Sequence, residues 1–336
     1  MKPLKILWPF SLLYQAITGL RNQAFNKGIL KSRTFKTSII AVGNLSTGGT
    51  GKTPFVEFLL NHLPYKKIGL VSRGYGRKTK GLLVAKPSHQ SKDIGDEPLQ
   101  VFKKFPEIHL AVSEKRAVGI NALEQKFAPE LILLDDAFQH RSVQPKVNIL
   151  LSSYDKPFYR DLVLPAGHLR ESRSGKKRAQ LIIITKCPPD LSSEKAAEIK
   201  VRIKPQKDQS IFFTSIGYSS CINHLNQTIN AEHKEILALC GIAKPHFFLN
   251  EIENYFTIKK QWIFKDHHAF SAEEIKALQH EMETTGLPLV CTEKDWVRLL
   301  SLLDEKHLER CYYLPIQTQF LFKQEANFLN TLHKML

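Results

Sequence analysis

Cysteine is scarce and unpatterned in this chain. The five present, Cys187, Cys221, Cys240, Cys291 and Cys311, form no C-x-x-C pair, and no histidine stands at zinc-ligand spacing from them. That excludes a zinc ribbon and a disulfide scaffold, and the five are expected to be buried, reduced thiols of a cytosolic protein. Long apolar runs are missing too. The most apolar stretch, Leu4 to Leu20, is broken by Lys5, Pro9, Gln15 and Thr18, whereas a spanning helix needs about 20 mostly apolar residues. It also lacks a small-x-small cleavage site before Arg21, which argues against a secretory signal. Acidic residues are few: 32 against 48 lysines and arginines, a formal charge of +16. Such a balance favours a polyanionic partner, a nucleic acid, an anionic membrane face or a phosphorylated substrate, without choosing among them.

What is present is organised around residues 38 to 63. Ser38 to Val42 is a short β-branched run suited to a buried strand, and Phe55 to Leu63 reads as a buried helix. Between them, Thr47-Gly48-Gly49-Thr50-Gly51-Lys52-Thr53 can turn tightly enough to aim successive N–H groups inward as a phosphate cradle. Lys52 would place its ammonium between the terminal phosphates, and the Thr53 hydroxyl would ligate their magnesium ion. Pro54 fits the first helical turn, where no N–H is needed. The pattern departs from G-x-x-x-x-G-K-[ST] at Ser46.

The 336 residues suit two domains, and 43% apolar content suffices for real cores. Downstream of the cradle, strands are followed directly by polar groups, as a parallel sheet with its site at the strand carboxyl ends requires. Ile68 to Ser72 leads into Arg73-Gly74-Tyr75-Gly76-Arg77, a ligand loop or a basic surface turn. Gly95-Asp96-Glu97-Pro98 opens a helix, and Asp96 is either its N-cap or a carboxylate that orients a nucleophile. After the strand His109 to Val112, Arg116 stands at a helix N-terminus, unfavourable for a cation unless it meets an anion. Leu131 to Leu134 ends in Asp135-Asp136, placed to hold magnesium opposite the cradle. The charge-dense segment Leu162 to Glu171, with Arg173 to Arg178 beyond it, is a solvated loop or a docking surface for phosphate or anionic lipid. Further on, Ile211 to Tyr218 with Ile222 to Ile229 reads as a two-stranded ribbon, followed by a smaller α/β domain. Within that domain Ser271 and Glu274 form a capping box, which leaves Asp266, His267 and His268 available for chemistry. Thr292-Glu293-Lys294-Asp295 is a similar polar cluster after a strand. At the N-terminus, Leu4, Leu7, Trp8, Leu12, Leu13, Ile17 and Leu20 fall mostly at helical spacing among basic residues. This fits a helix lying on an anionic leaflet, or one packed on its own domain.

Taken together, Gly43-Asn44-Leu45 through Pro54, Ser72 to Gly76, Gly95 to Pro98, Ser113 to Arg116, Asp135 to His140, Leu164 to Glu171 and Asp266 to His268 resemble, in this order, the tetraacyldisaccharide 4′-kinase family. The resemblance implies a P-loop NTPase-type, mostly parallel α/β domain (36–210) and a smaller α/β domain (234–336), joined by a β-ribbon (211–233) and preceded by a membrane-interfacial helix region (1–35). It implies ATP and Mg²⁺, a glycolipid substrate, the cytoplasmic face of a Gram-negative inner membrane, and neither nucleic acid nor an obligate protein partner. By the same resemblance, Lys52 acts in catalysis with Asp96 as base and His267 paired to it. Thr53, Asp135, Asp136, Gln139 and Glu171 surround the metal. Asn44, Arg73, Tyr75, Arg116, His140, His168 and Arg170 contact the headgroup. The rival is a P-loop GTPase or metallochaperone ATPase switch acting on a protein; Thr185-Lys186 favours it superficially, but Cys187-Pro188 replaces the acid a guanine-reading loop needs.

Overall fold

The computed structural model describes residues 5–230, 232–266 and 268–336. It begins with a surface helix, α1 (Trp8–Asn26), started by Pro9 in its first turn. There follow β1 (Ser38–Asn44), α2 (Lys52–His62), β2 (Ile68–Ser72), β3 (Leu83–Val84), α3 (Ser91–Ile94), α4 (Asp96–Lys104), β4 (His109–Val112), α5 (Arg116–Phe127), β5 (Leu131–Leu134), β6 (Val147–Ser153), β7 (Leu181–Thr185), α6 (Ser193–Ile203) and β8 (Ser210–Tyr218). A second alternation runs through β9 (Glu235–Cys240), α7 (Pro245–Glu253), β10 (Thr257–Ile263), α8 (Ala272–Thr285), β11 (Leu289–Thr292), α9 (Glu293–Leu299), α10 (Glu305–Leu308) and β12 (Cys311–Leu314). The chain then returns through β13 (Ile316–Phe320) and α11 (Glu325–Met335).

The large sheet has nine strands in the order β13-β8-β7-β6-β1-β5-β2-β4-β3. Only its two edge pairs, β13 with β8 and β3 with β4, are antiparallel. β1 lies at the centre between β5 and β6. Its residues are apolar and buried on both faces, as a helix-covered parallel sheet demands. The carboxyl ends of β1, β2 and β5 therefore open side by side, and the loops that leave them build the site. The small sheet, β10-β9-β11-β12, is wholly parallel.

The ribbon expected over 211–233 is not formed as expected. Residues 222–229 make isolated bridges alone, Ile222 with Thr228 and with Tyr313. β8 is an inner strand of the large sheet, and its antiparallel partner is β13, from beyond the small domain. The reason lies in side chains: Phe55 and Phe58 of α2 gather Phe212, Phe320 and Phe328 around them, with Phe328 edge-on to Phe55 at 5.7 Å. Residues 316–336 thus complete the core of the large sheet. All five cysteines are buried and unpaired.

α1 packs on its own domain along one edge and leaves its remaining apolar residues outward. Leu7, Ser11, Tyr14, Thr18 and Asn22 form the edge turned to the protein. Ser11 Oγ donates to Val163 O at 2.9 Å and accepts from Ala166 N at 2.9 Å, and Asn22 Nδ2 donates to Glu171 Oε2 at 2.8 Å. Ile6 and, on α1, Trp8, Phe10, Leu12, Leu13, Ile17 and Leu20 face outward with 47% to 80% of their surface exposed. No helix among the described residues is long and apolar enough to cross a membrane.

Candidate active site

The loop from β1 to α2 turns on two glycines in the left-handed region, Gly48 at φ 104° and Gly51 at φ 78°, where a side chain would be strained. Its frame is held from neighbouring strand ends. Thr47 N donates to His168 O at 2.8 Å, Lys186 Nζ to Gly49 O at 2.7 Å and Thr185 Oγ1 to Thr50 O at 2.8 Å. Asn44 Nδ2 donates to Thr50 Oγ1 at 2.8 Å. Asn44 is fully buried, so it braces the loop from below instead of presenting itself to a headgroup. The first turn of α2 carries Lys52, whose Nζ lies 3.5 Å from Asp136 Oδ1, and Thr53, which lines one small cavity with Ser72, Glu97 and Asp135.

The two aspartates after β5 differ in environment. Asp135 is buried; Ser72 Oγ donates to its Oδ2 at 3.0 Å, while Oδ1 is enclosed without a partner. Burial first, then the neighbouring Glu97, push its carboxyl up to about 6, against the pull of Lys52. Asp136 adopts a left-handed φ of 47° and meets Arg170, whose Nη1 donates to both carboxylate oxygens at 3.1 and 3.0 Å. Burial opposes its charge, but Lys52 and Arg170 together hold it below the usual carboxylate range. Glu171 is enclosed by Arg178 at 2.7 Å, Asn22 at 2.8 Å and Gln139 at 3.1 Å. Among the described residues no three His, Cys, Asp or Glu side chains converge on one point. Of the five residues expected around a metal, Asp136 and Glu171 are matched to Arg170 and Arg178. The remainder still fits magnesium. A buried carboxylate with an orphaned oxygen and a threonine hydroxyl share a cavity beneath a phosphate loop, and Mg²⁺ takes one or two carboxylates, keeping waters and phosphate oxygens for its other positions. Gln139 Oε1, also buried without a partner, stands next in line.

Arg73 and Tyr75 lie exposed on the loop after β2. Arg116 does not reach that surface. It is buried, and its guanidinium donates to the carbonyls of Ser113 at 2.7 Å, Asp135 at 3.1 Å and Asp136 at 3.4 Å, fixing the ends of β4 and β5. Its unfavourable helix position is thus answered by carbonyl oxygens, not by an external anion; burial lowers its pKa to about 10. The same burial, with Arg116 nearby, drops His140 to about 4, which keeps its ring neutral. His168 is half-exposed with its Nδ1 3.2 Å from Asp161 Oδ2.

Asp96 is the first residue of α4, and the N-cap is Gly95, whose φ of 93° suits glycine. The Asp96 side chain reaches outside its helix. Its Oδ1 accepts the Ser91 hydroxyl, and its Oδ2 accepts Arg298 Nε at 3.0 Å and Nη2 at 2.6 Å. His267 lies outside the described residues. Of its neighbours, Asp266 meets Lys294 at 3.0 Å, and His268 donates into the capping box through Glu274 at 2.9 Å, a folding role. Sequence reasoning missed Glu97, which shares the cavity of Thr53 and Asp135, and Arg298. It also missed the buried cluster of Glu57, Lys104 and Glu293, which ties α2 and α4 to α9. The one available signal for Arg298 was its place one helical turn after Asp295.

Comparison with known proteins places this geometry among relatives. The sequence model of the family Tetraacyldisaccharide-1-P 4′-kinase matches residues 4–336. The tetraacyldisaccharide 4′-kinase of Flavobacterium johnsoniae is 44% identical over 326 residues, covering 96% of this chain and 94% of the relative. That of Porphyromonas gingivalis is 40% identical over 342 residues, covering 98% and 96%. Among solved structures, LpxK from Aquifex aeolicus in complex with ATP superposes with a TM-score of 0.79 at 27% identity, over 98% of both chains.

Proposed function

This chain belongs to the tetraacyldisaccharide-1-P 4′-kinase family, the ATP-dependent lipid kinases of lipid A biosynthesis, and from that premise we propose how its residues divide the work. The β1–α2 loop, residues 47 to 53, cradles the phosphates of ATP. Lys52 neutralises charge on the transferring phosphoryl group. Thr53 and Asp135, with Gln139 as a further candidate, would hold Mg²⁺, which would offset the charge of the phosphates. Asp136, already paired with Lys52 and Arg170, keeps Lys52 aimed at the donor. Asp96 takes the proton of the sugar 4′-hydroxyl as that oxygen attacks the γ-phosphorus and ADP leaves, and His267 supports it. A poor nucleophile such as a sugar hydroxyl gains about 10²- to 10⁴-fold from such a base. Arg73, Tyr75, His140, His168 and Arg170 form the headgroup rim, while Asn44 and Arg116 shape it from behind. The observation that supports this reading is that Thr53, Glu97 and Asp135 line one small cavity, which puts the start of α2, the end of β5 and the first turn of α4, where Asp96 lies, beside one another.

The outward face of α1 supports a membrane-bound reaction. Burying each of its large side chains contributes about 1.5 to 3 kcal/mol. The helix touches Gln139, Arg170 and Glu171, so a leaflet against α1 would lie at the acceptor side of the site. The formal charge of +16 favours an anionic leaflet, and the enzyme is then peripheral on the cytoplasmic face of the inner membrane. Neither nucleic acid nor an obligate protein partner enters this reading. Transfer of radiolabelled γ-phosphate to tetraacyldisaccharide 1-phosphate in mixed micelles tests the assignment: Asp96→Ala and Lys52→Ala should each lose at least about 10² in kcat. Full turnover by Asp96→Ala would remove it from the role of base.

A further inference from the structure

Thr292-Glu293-Lys294-Asp295 stands out in the sequence and takes no part in the scheme above. In the fold it starts α9, the small-domain helix packed on α4. Asp295 is completely enclosed. Its Oδ2 accepts the Thr292 hydroxyl at 2.6 Å and Gly241 N at 2.8 Å, and its Oδ1 accepts Arg298 Nη1 at 3.0 Å. The approach leaves no room for a side chain at residue 241: a Cβ there would stand 2.9 Å from Asp295 Oδ1. Arg298, one turn on, is held by this anchor and directs its other two nitrogens to the single oxygen Oδ2 of Asp96 at 3.0 and 2.6 Å. The guanidinium is a rigid planar fork, so fixing one arm on Asp295 fixes where the others can point.

An aspartate in the first turn of a helix ordinarily folds back onto the free N–H groups of that turn. Asp96 also reaches outside its own helix, to Ser91 of α3 and Arg298 of the other domain. Both sit on the carboxylate oxygens in a geometry set before any substrate arrives.

We infer that Arg298 is the positioning residue of the acceptor half-site: anchored by Asp295, it holds the Asp96 carboxylate in the orientation that receives the hydroxyl proton, and it makes that orientation conditional on the small domain being docked. The inference rests on the proposed role of Asp96. It gives the Thr292 to Asp295 cluster a function that neither packing nor nucleotide binding requires. It also separates Arg298 from an ion pair that merely joins two domains, because the latter would not set turnover.

The experiment compares Arg298→Ala, Arg298→Lys and Asp96→Ala in the micelle assay, with thermal midpoints measured on the same preparations. Arg298→Ala should lose about 10²-fold in kcat, the scale of a small misplacement of a reacting group, with both KM values moving by less than about threefold. Arg298→Lys, which keeps charge without the fork, should recover part of that loss. Guanidinium ion at low millimolar concentration should raise the kcat of Arg298→Ala, urea at the same concentration should not, and neither should raise that of Asp96→Ala. Parental kcat in Arg298→Ala beside an inactive Asp96→Ala would overturn the positioning role and leave the base intact. A loss of kcat that tracks a lowered thermal midpoint and ignores guanidinium would overturn it in favour of simple domain joining. An active Asp96→Ala would instead overturn the reading of Asp96 itself, and the inference with it.

Discussion

Replacing Glu57 by glutamine removes one charge from the buried cluster that joins the phosphate-loop helix to the small domain. Lys104 Nζ lies 2.6 Å from Glu57 and 2.8 Å from Glu293, and Gln100 Nε2 donates to Glu57 at 2.9 Å. One cation therefore faces two enclosed carboxylates. Burial first, and Glu293 second, push Glu57 up to about 7 from an ordinary 4.5, with Lys104 and Gln100 pulling it down only in part. Attraction to both carboxylates holds the Lys104 ammonium charged above its usual range, outweighing its own desolvation. A carboxyl raised on folding stabilises the fold where it is protonated; that contribution is complete below about pH 4.5 and is lost as pH rises through about 7. At about 1.4 kcal/mol per pH unit, the loss between pH 4 and pH 8 comes to about 3 kcal/mol. Glu57→Gln carries no such proton, keeps a partner for Gln100, and leaves Lys104 with Glu293. Urea unfolding of both proteins at matched ionic strength should show the difference, parent minus variant, falling by about 3 kcal/mol from pH 4 to pH 8. A difference that stays flat, or one that rises, refutes the account of the cluster.

Two further outcomes follow from burial. Leu13→Glu with Ile17→Glu changes two outward residues of α1, so sedimentation with anionic vesicles should be lost while stability moves by no more than about 0.5 kcal/mol; unchanged sedimentation would end the interfacial role of α1. Arg116→Lys cannot reach three carbonyls at once, so it should cost about 1 to 3 kcal/mol of stability in chemical denaturation with an unchanged KM for the lipid. A raised lipid KM at full stability would return Arg116 to the headgroup rim.

The donor half of the site was legible because it is local. Strand, glycine turn, Lys52, Thr53 and the strand-terminal Asp135 and Asp136 each lie within a few residues of the backbone feature that positions them. The acceptor half was legible only where exposure decides function, as for Arg73 and Tyr75. Asn44 and Arg116 carry the same polar groups as surface residues, and only the packed fold shows that their partners are loop atoms and carbonyls. Arg298, Glu57, Lys104 and Glu293 sit in helices, and the partners that join them across domains stand far away in sequence. The pairing of β8 with β13 was hidden for the same reason: Ile222 to Ile229 offered a nearer hairpin partner, and local pattern gives no credit to a strand that arrives a hundred residues later.

Phe55 and Phe58 are synthesised long before Phe320 and Phe328, the rings that close around them. At about 5 to 20 residues per second, the phosphate-loop helix waits roughly 13 to 50 seconds on the ribosome with its apolar side uncovered. For the last part of that interval β8 is an open sheet edge as well. A nascent chain that stops before β13 is therefore not a smaller nucleotide-binding protein but a sticky one, fit for a chaperone or a protease. Translation must reach β13 and α11 before the apolar side of the phosphate-loop helix is covered.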